Sequence, residues 1–349
     1  MYRYNYKYFG ELMSIELKYK TNYRATLVLL GASVLLFGAI GILYRIAGII
    51  MIPLISAFLA VLFCVEKRRI LSVTVSVILL AFEFYYGSMS YYTVISLSSV
   101  ILAIIAATCY LKGTRKSYTA LYSTCAIAVL IVVAAVLYVL GTFKGSAISE
   151  IIDNFLILFD NFKETTVSNI LTAMSQSTVE NEMLSKDNLN LIFDAYLDCA
   201  VALVCIIAFL IVGVAYKIFT RLIRSYSRSS DKINGWDFMP SATFAYFYFI
   251  IAIISMFVSG SDGALSLSII NLQLIFMAVF AYVGYKFVVT VMKINGRSAM
   301  MTSLIMLVAI ALLSSVAIQI LAVTGAFVSV NYEKISKNTN FTNDDPFSE

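Results

Sequence analysis

Asp194 and Asp198 stand four residues apart, so in a helix their carboxylates share one face, a turn apart. Two acids at that spacing can hold a cation or an amine. They can equally favour a helix start, where the backbone dipole attracts negative charge. Glu83 is a third carboxylate, set in the apolar run Phe82-Glu83-Phe84-Tyr85-Tyr86. Charge in lipid is costly, so such a residue either snorkels to a nearby interface or serves a ligand or proton site. Joined to the acid pair, it would complete a cation or amine site at an outer mouth. Amides form the second group: Asn271, Gln273 and Gln319. Ser266 and Gln273 share a face at i, i+7, and Ser315 and Gln319 at i, i+4. Such amides either hydrogen-bond a neighbouring helix, at about 1 kcal/mol each, or contact a solute.

Other chemistry is excluded or unsupported. Histidine is absent, which removes the commonest metal ligand and the usual general base near neutral pH. The cysteines, Cys64, Cys109, Cys125, Cys199 and Cys205, form no C-x-x-C pair and read as small apolar residues. No phosphate-binding G-x-x-x-x-G-K, zinc-binding H-E-x-x-H or nucleophile-elbow G-x-S-x-G is present. The chain is therefore expected not to be an enzyme and to carry no cofactor or metal.

The elements that must position these groups follow from solvent. Residues of the apolar class make up 61% of the chain and charged residues 13%. Mean hydropathy is +0.89. A soluble domain carries about a quarter charged residues, so lipid is the expected solvent. A helix needs about 20 apolar residues to cross the hydrocarbon core. Residues 25–43 and 46–65 supply two, folded back at Tyr44-Arg45 because an unbroken helix would be roughly 60 Å long at ~1.5 Å per residue. Gly87-Ser88-Met89-Ser90, flanked by interfacial tyrosines, divides residues 70–86 from 93–111. Further spans follow at 119–141, 195–216, 239–258, 265–285 and 299–323. The expected fold is all-α, a polytopic bundle of about nine spans.

Charge orients it. With the N-terminus inside, every cytoplasmic segment is basic: the first 24 residues, Lys67-Arg68-Arg69, Lys112 to Lys116, Lys217 to Lys232, and Lys286 to Arg297. The exceptions outside are Arg45, Lys144, Lys163, Lys186, Lys334 and Lys337. No cleavable signal peptide is visible, so the first span directs insertion. The expected place is a bacterial plasma membrane. The basic loops are short and juxtamembrane, which suits anionic lipid headgroups rather than nucleic acid.

The organisation read from this pattern is a basic segment (1–24), a five-span half (25–141), an extracytoplasmic insert (142–194), a four-span half (195–329) and a flexible polar tail (330–349). In the insert, Ile148, Ile151, Ile152, Phe155, Phe159 and Phe162 recur at helical spacing, and Val167, Ile170, Leu171 and Met174 repeat it. These read as two amphipathic helices on the bilayer surface or over the bundle, as a fixed cap or a moving lid. Pro53 is expected to kink the second span.

Three stretches carry a family resemblance. They are Ile52-Pro53-Leu54 with the basic turn Lys67-Arg68-Arg69, then Gly235-Trp236-Asp237-Phe238-Met239-Pro240, then Asn271-Leu272-Gln273 with Tyr282-Val283-Gly284-Tyr285. The chain resembles the YybS-like group of bacterial multi-pass membrane proteins. That group is distantly similar to the substrate-binding components of energy-coupling-factor transporters. The resemblance implies a small solute held in an outward-open pocket and ATPase subunits borrowed from partners. The chain departs from the pattern in the fourth span, which ends Ala106-Ala107-Thr108-Cys109-Tyr110 without glycines. Two functions stay open: a transporter-like solute-binding component, and a scaffold that recruits partner proteins.

Overall fold

The computed structural model describes residues 23–43, 47–65, 69–86, 92–112, 114, 116–143, 147–175, 185–226, 238–258, 263–296 and 298–338. Eleven α-helices and one 3-10 turn make up the regular elements among them. In chain order they are α1 (Tyr23–Leu43), α2 (Ala47–Val65), α3 (Ile70–Tyr86), α4 (Tyr92–Leu111), α5 (Lys116–Thr142), α6 (Ile151–Ser175), α7 (Lys186–Asp198), α8 (Ala200–Tyr226), α9 (Ala242–Val258), α10 (Ala264–Ile294) and α11 (Ala299–Asn338). The turn, Ile148–Glu150, precedes α6. The basic segment before residue 23, Lys67 and Arg68, the Gly87–Ser90 turn and residues 339–349 of the expected tail lie outside the described residues.

Among the described residues, four helices are long and apolar enough to cross a membrane: Tyr118–Thr142, Ala200–Ile223, Ala264–Ile294 and Ser315–Tyr332. Six shorter apolar stretches accompany them, among them Ile50–Val65 and Ala242–Val258. Large apolar side chains are exposed along nearly every helix, such as Leu29, Ile50, Val129, Leu210 and Phe257. An apolar surface on that scale is not stable in water. It is what a helix presents to lipid.

The insert is expected to form one helix through Phe162 and another from Val167. It forms a single helix, α6, because Lys163-Glu164-Thr165-Thr166 contains neither glycine nor proline to interrupt it. The second helix of that region is α7, which stops at Asp198, inside the segment assigned to the sixth span. α11 runs to Asn338.

The chain divides into two units. Met1–Leu130 and Ala208–Phe238, with Ser348–Glu349, form one; Ile131–Ile207 with Met239–Phe347 form the other. In the first unit α2 lies against both α1 and α4, and α3 touches α1 and α4. α2 can sit centrally because small residues, Ser56, Ala57 and Ala60, alternate with Ile55, Leu59 and Leu62, all of them buried. Phe37 of α1 meets Phe58 of α2 edge-on, with ring centroids 5.3 Å apart. Pro53 lies within α2, and Ser56 Oγ donates to the Pro53 carbonyl at 3.1 Å.

In the second unit α10 and α11 make the most extensive helix contact, with α9 packed on both. Gly284 and Gly325 meet at that crossing. A Cβ on Gly284 would run into the Leu321 carbonyl, and one on Gly325 into the Phe280 carbonyl. Only glycine lets two helix backbones approach so closely. Around the crossing, Ala245, Tyr248, Phe280, Ala322 and Ala326 form a buried cluster.

Candidate functional site

The polar groups singled out from sequence fall in both units. Glu83 belongs to α3, and its side chain lies outside the described residues. The other five belong to the second unit. Asp194 and Asp198 are both exposed on α7. Gln273 is half-buried on α10, and Gln319 is exposed on α11. Ser266 is buried and donates to the Val258 carbonyl at 3.1 Å, tying the start of α10 to the end of α9.

Asn271 is buried, and it sits where the chain passes from α7 to α8. Cys199 alone separates the two helices, with φ −95° and ψ 11°. On either side the helical ladder is normal: Cys199 N–H donates to Ala195 O at 3.1 Å, and Leu203 N–H to Cys199 O at 3.0 Å. The rung between them would run from the Ala202 N–H to the Asp198 carbonyl. The side chain of Asn271 fills it instead. Ala202 N–H donates to Asn271 Oδ1 at 2.9 Å, and Asn271 Nδ2 donates to Asp198 O at 2.7 Å. A backbone N–H can only donate and a carbonyl only accept, so these two partners dictate which way the amide points. Nδ2 gives its second proton to Leu267 O at 2.9 Å, within α10. One amide thus satisfies a donor and an acceptor that the break had freed, and it fixes α10 to the α7–α8 junction.

Asp194 faces a cation supplied by the chain itself. Lys163 of α6 donates to Asp194 Oδ1 at 2.8 Å and stands 3.6 Å from Asp160 Oδ1. The hydrogen bond to Asp194 raises the Lys163 ammonium above its ordinary value. Burial opposes that shift, and the charges of Asp194 and Asp160 reinforce it. The Phe162 and Phe193 rings meet edge-on beside the pair, with centroids 6.1 Å apart. Asp198 takes part through its backbone, so the carboxylates that were read as one site do different things.

Beyond Lys163, α6 and α7 border an open groove of about 1060 Å³. Its polar lining includes Thr165, Ser168, Asn169, Lys186 and Asn190, with Val167 and Leu171 as apolar patches. Among the described residues, no three side chains of the His, Cys, Asp and Glu types cluster to hold a metal ion.

Sequence reasoning named Asn271, but not what it touches. It missed Lys163 as the partner of Asp194 and Cys199 as a helix break. The apolar pattern runs through Cys199 without a glycine or proline, so the sequence carries no local signal for the break. No protein-family model matches the chain, and no curated protein or solved structure matches it either. The family resemblance therefore rests on the quoted motifs alone.

Proposed function

We propose that this chain is a multi-pass protein of a bacterial plasma membrane that binds a small polar solute from the outer side, as a transporter-like component. Nine crossings with a cytoplasmic N-terminus are supported by the alternation of basic segments along the sequence. The membrane reading is supported by the four membrane-length helices and by the apolar side chains exposed along them. Solute binding is supported by one observation: amides, hydroxyls and Lys186 converge on the α6–α7 groove, outside every apolar window. That lining suits a solute rich in hydroxyl or amide groups. Partner subunits, including an ATPase, would supply energy in this reading.

The test is thermal unfolding of the purified protein against vitamins, nucleosides, sugars and amino acids. A bound solute at a hundred times its Kd should stabilise the protein by about 2.7 kcal/mol. Lys186→Glu should abolish that gain and leave the unliganded melting temperature unchanged. If no solute shifts the melting temperature and a protein partner co-purifies instead, the scaffold reading replaces this one.

A further inference from the structure

α6 carries an apolar stripe through Ile152, Phe155, Leu156, Phe159, Phe162 and Val167. The stripe changes its surroundings along the helix. In the C-terminal half it packs toward α7: Val167 and Leu189 are buried, Phe162 meets Phe193, and Lys163 bonds Asp194. In the N-terminal half Ile152 is 72% exposed and Phe155 and Leu156 38% each, and Phe162, although it meets Phe193, is itself 59% exposed.

The pairing fixes where the N-terminal half lies. Lys163 is opposite Asp194, while Leu171 and Thr172 share a groove with Lys186, so α6 and α7 run antiparallel. The N-terminal half of α6 therefore extends toward the end of α7 that leads into α8. Phe155 is ~12 Å along α6 from Lys163 in that direction, at ~1.5 Å per residue. The apolar window Ala200–Ile223 begins at that end of α7.

We infer that the N-terminal half of α6 lies in the headgroup layer of the outer leaflet, with Ile152, Phe155 and Leu156 turned to the acyl boundary. This rests on α8 crossing a bilayer, as proposed above. Interfacial helices bury such a face roughly 5–10 Å deep. The flanking charges select the lipid. Asp153, Asp160 and Glu164 are exposed on α6, against the single cation Lys163 that Asp194 already engages. A surface of that sign suits zwitterionic headgroups, which offer an ammonium group, and repels anionic ones.

The experiment uses tryptophan fluorescence. Trp236, the one native tryptophan, is replaced by Phe. Single tryptophans are then introduced as Phe155→Trp, Leu156→Trp, Asn169→Trp and Leu210→Trp in the full chain. Each variant is reconstituted in phosphatidylcholine vesicles brominated either near the headgroup or near the acyl terminus. Leu210→Trp, on the exposed side of α8, should be quenched by deep bromines, and Asn169→Trp, in the open groove, by neither. Both α6 variants should lose at least half their emission to shallow bromines and much less to deep ones. No quenching of Leu210→Trp would overturn the membrane reading on which the inference rests. If Leu210→Trp is quenched while both α6 variants respond only to aqueous acrylamide, the inference itself is overturned. Shielding of the α6 variants from bromine and acrylamide alike would also overturn it, since protein would then cover the stripe.

Discussion

The α10–α11 crossing and the α1–α3 contact both rely on glycine, yet they are not equally hard. Gly284 and Gly325 each face the other helix's backbone, at the Leu321 and Phe280 carbonyls. Gly31 and Gly38 of α1 face side chains of α3. A Cβ at Gly31 would stand 3.2 Å from Val75 Cγ2, and one at Gly38 would meet Leu79 Cδ1. A backbone carbonyl held in a helical ladder cannot step aside, whereas a leucine can change rotamer. The same residue type therefore sets an unyielding separation in one unit and an adjustable one in the other.

Polar contacts repeat the contrast. In the first unit many buried hydroxyls bond within their own helix: Ser76 Oγ donates to Ser72 O at 2.8 Å, and Thr220 Oγ1 to Tyr216 O at 2.9 Å. Such bonds satisfy the hydroxyl without specifying a neighbour. In the second unit Asn271 bonds across helices, to both sides of the α7–α8 break. The first unit has a cross-helix contact of its own, between Ser123 Oγ and Tyr216 OH at 3.5 Å.

Substitutions in both units probe this difference. The largest effect is expected from Gly325→Ala or Gly284→Ala. Each forces α10 and α11 apart and should cost about 1–3 kcal/mol or more, read as a fall in melting temperature in detergent. The double variant should cost less than the sum of the singles, because the two glycines share one contact. A mild, additive loss would mean that the crossing is as soft as α1–α3.

Asn271→Leu comes next. It strips partners from the Ala202 N–H and the Asp198 carbonyl, and leaving buried polar groups unmet costs about 1–3 kcal/mol. Hydrogen exchange at Ala202 should speed up. If the freed rung closes into a continuous helix instead, exchange there will slow, and the break will prove to be imposed by Asn271.

Gly38→Ala should cost less than the α10–α11 changes, about 0.5–1.5 kcal/mol for an off-rotamer Leu79. Gly31→Ala should be near neutral, because replacing glycine within a helix gains roughly 0.5–1 kcal/mol against the small shift asked of Val75.

The smallest effect concerns Lys163. Its ammonium is held above its ordinary value in the folded protein. The ion pair's contribution is therefore fully present below the ordinary lysine value and is lost as pH rises through the raised one. Melting temperature from pH 7 to 9 should show no step owed to Lys163, and Lys163→Met should remove only a decline in strongly alkaline solution.

Helices of an apolar chain were readable from hydropathy because lipid demands long uninterrupted apolar runs, and α1 to α5 begin and end within a few residues of the runs that announced them. What hydropathy cannot carry is pairing. Nothing in Leu-Asp-Cys-Ala, around Cys199, marks a helix break, and the amide that satisfies the freed groups lies far along the chain. Lys163 and Asp194 likewise meet through the antiparallel register of α6 and α7, which no local spacing encodes. Gly284 stood out in Tyr282-Val283-Gly284-Tyr285, but its role needs Gly325 opposite. The candidate site was legible as residue types and illegible as contacts.

In the proposed topology α8 crosses the bilayer from an outer start next to α7 to a cytoplasmic end at Arg221. The direct measurement is labelling with a membrane-impermeant thiol reagent in intact cells, using Ser168→Cys and Arg221→Cys in a background lacking the native cysteines. Ser168→Cys should react at once, and Arg221→Cys only after the membrane is permeabilised. Equal reaction of both in intact cells would contradict the account.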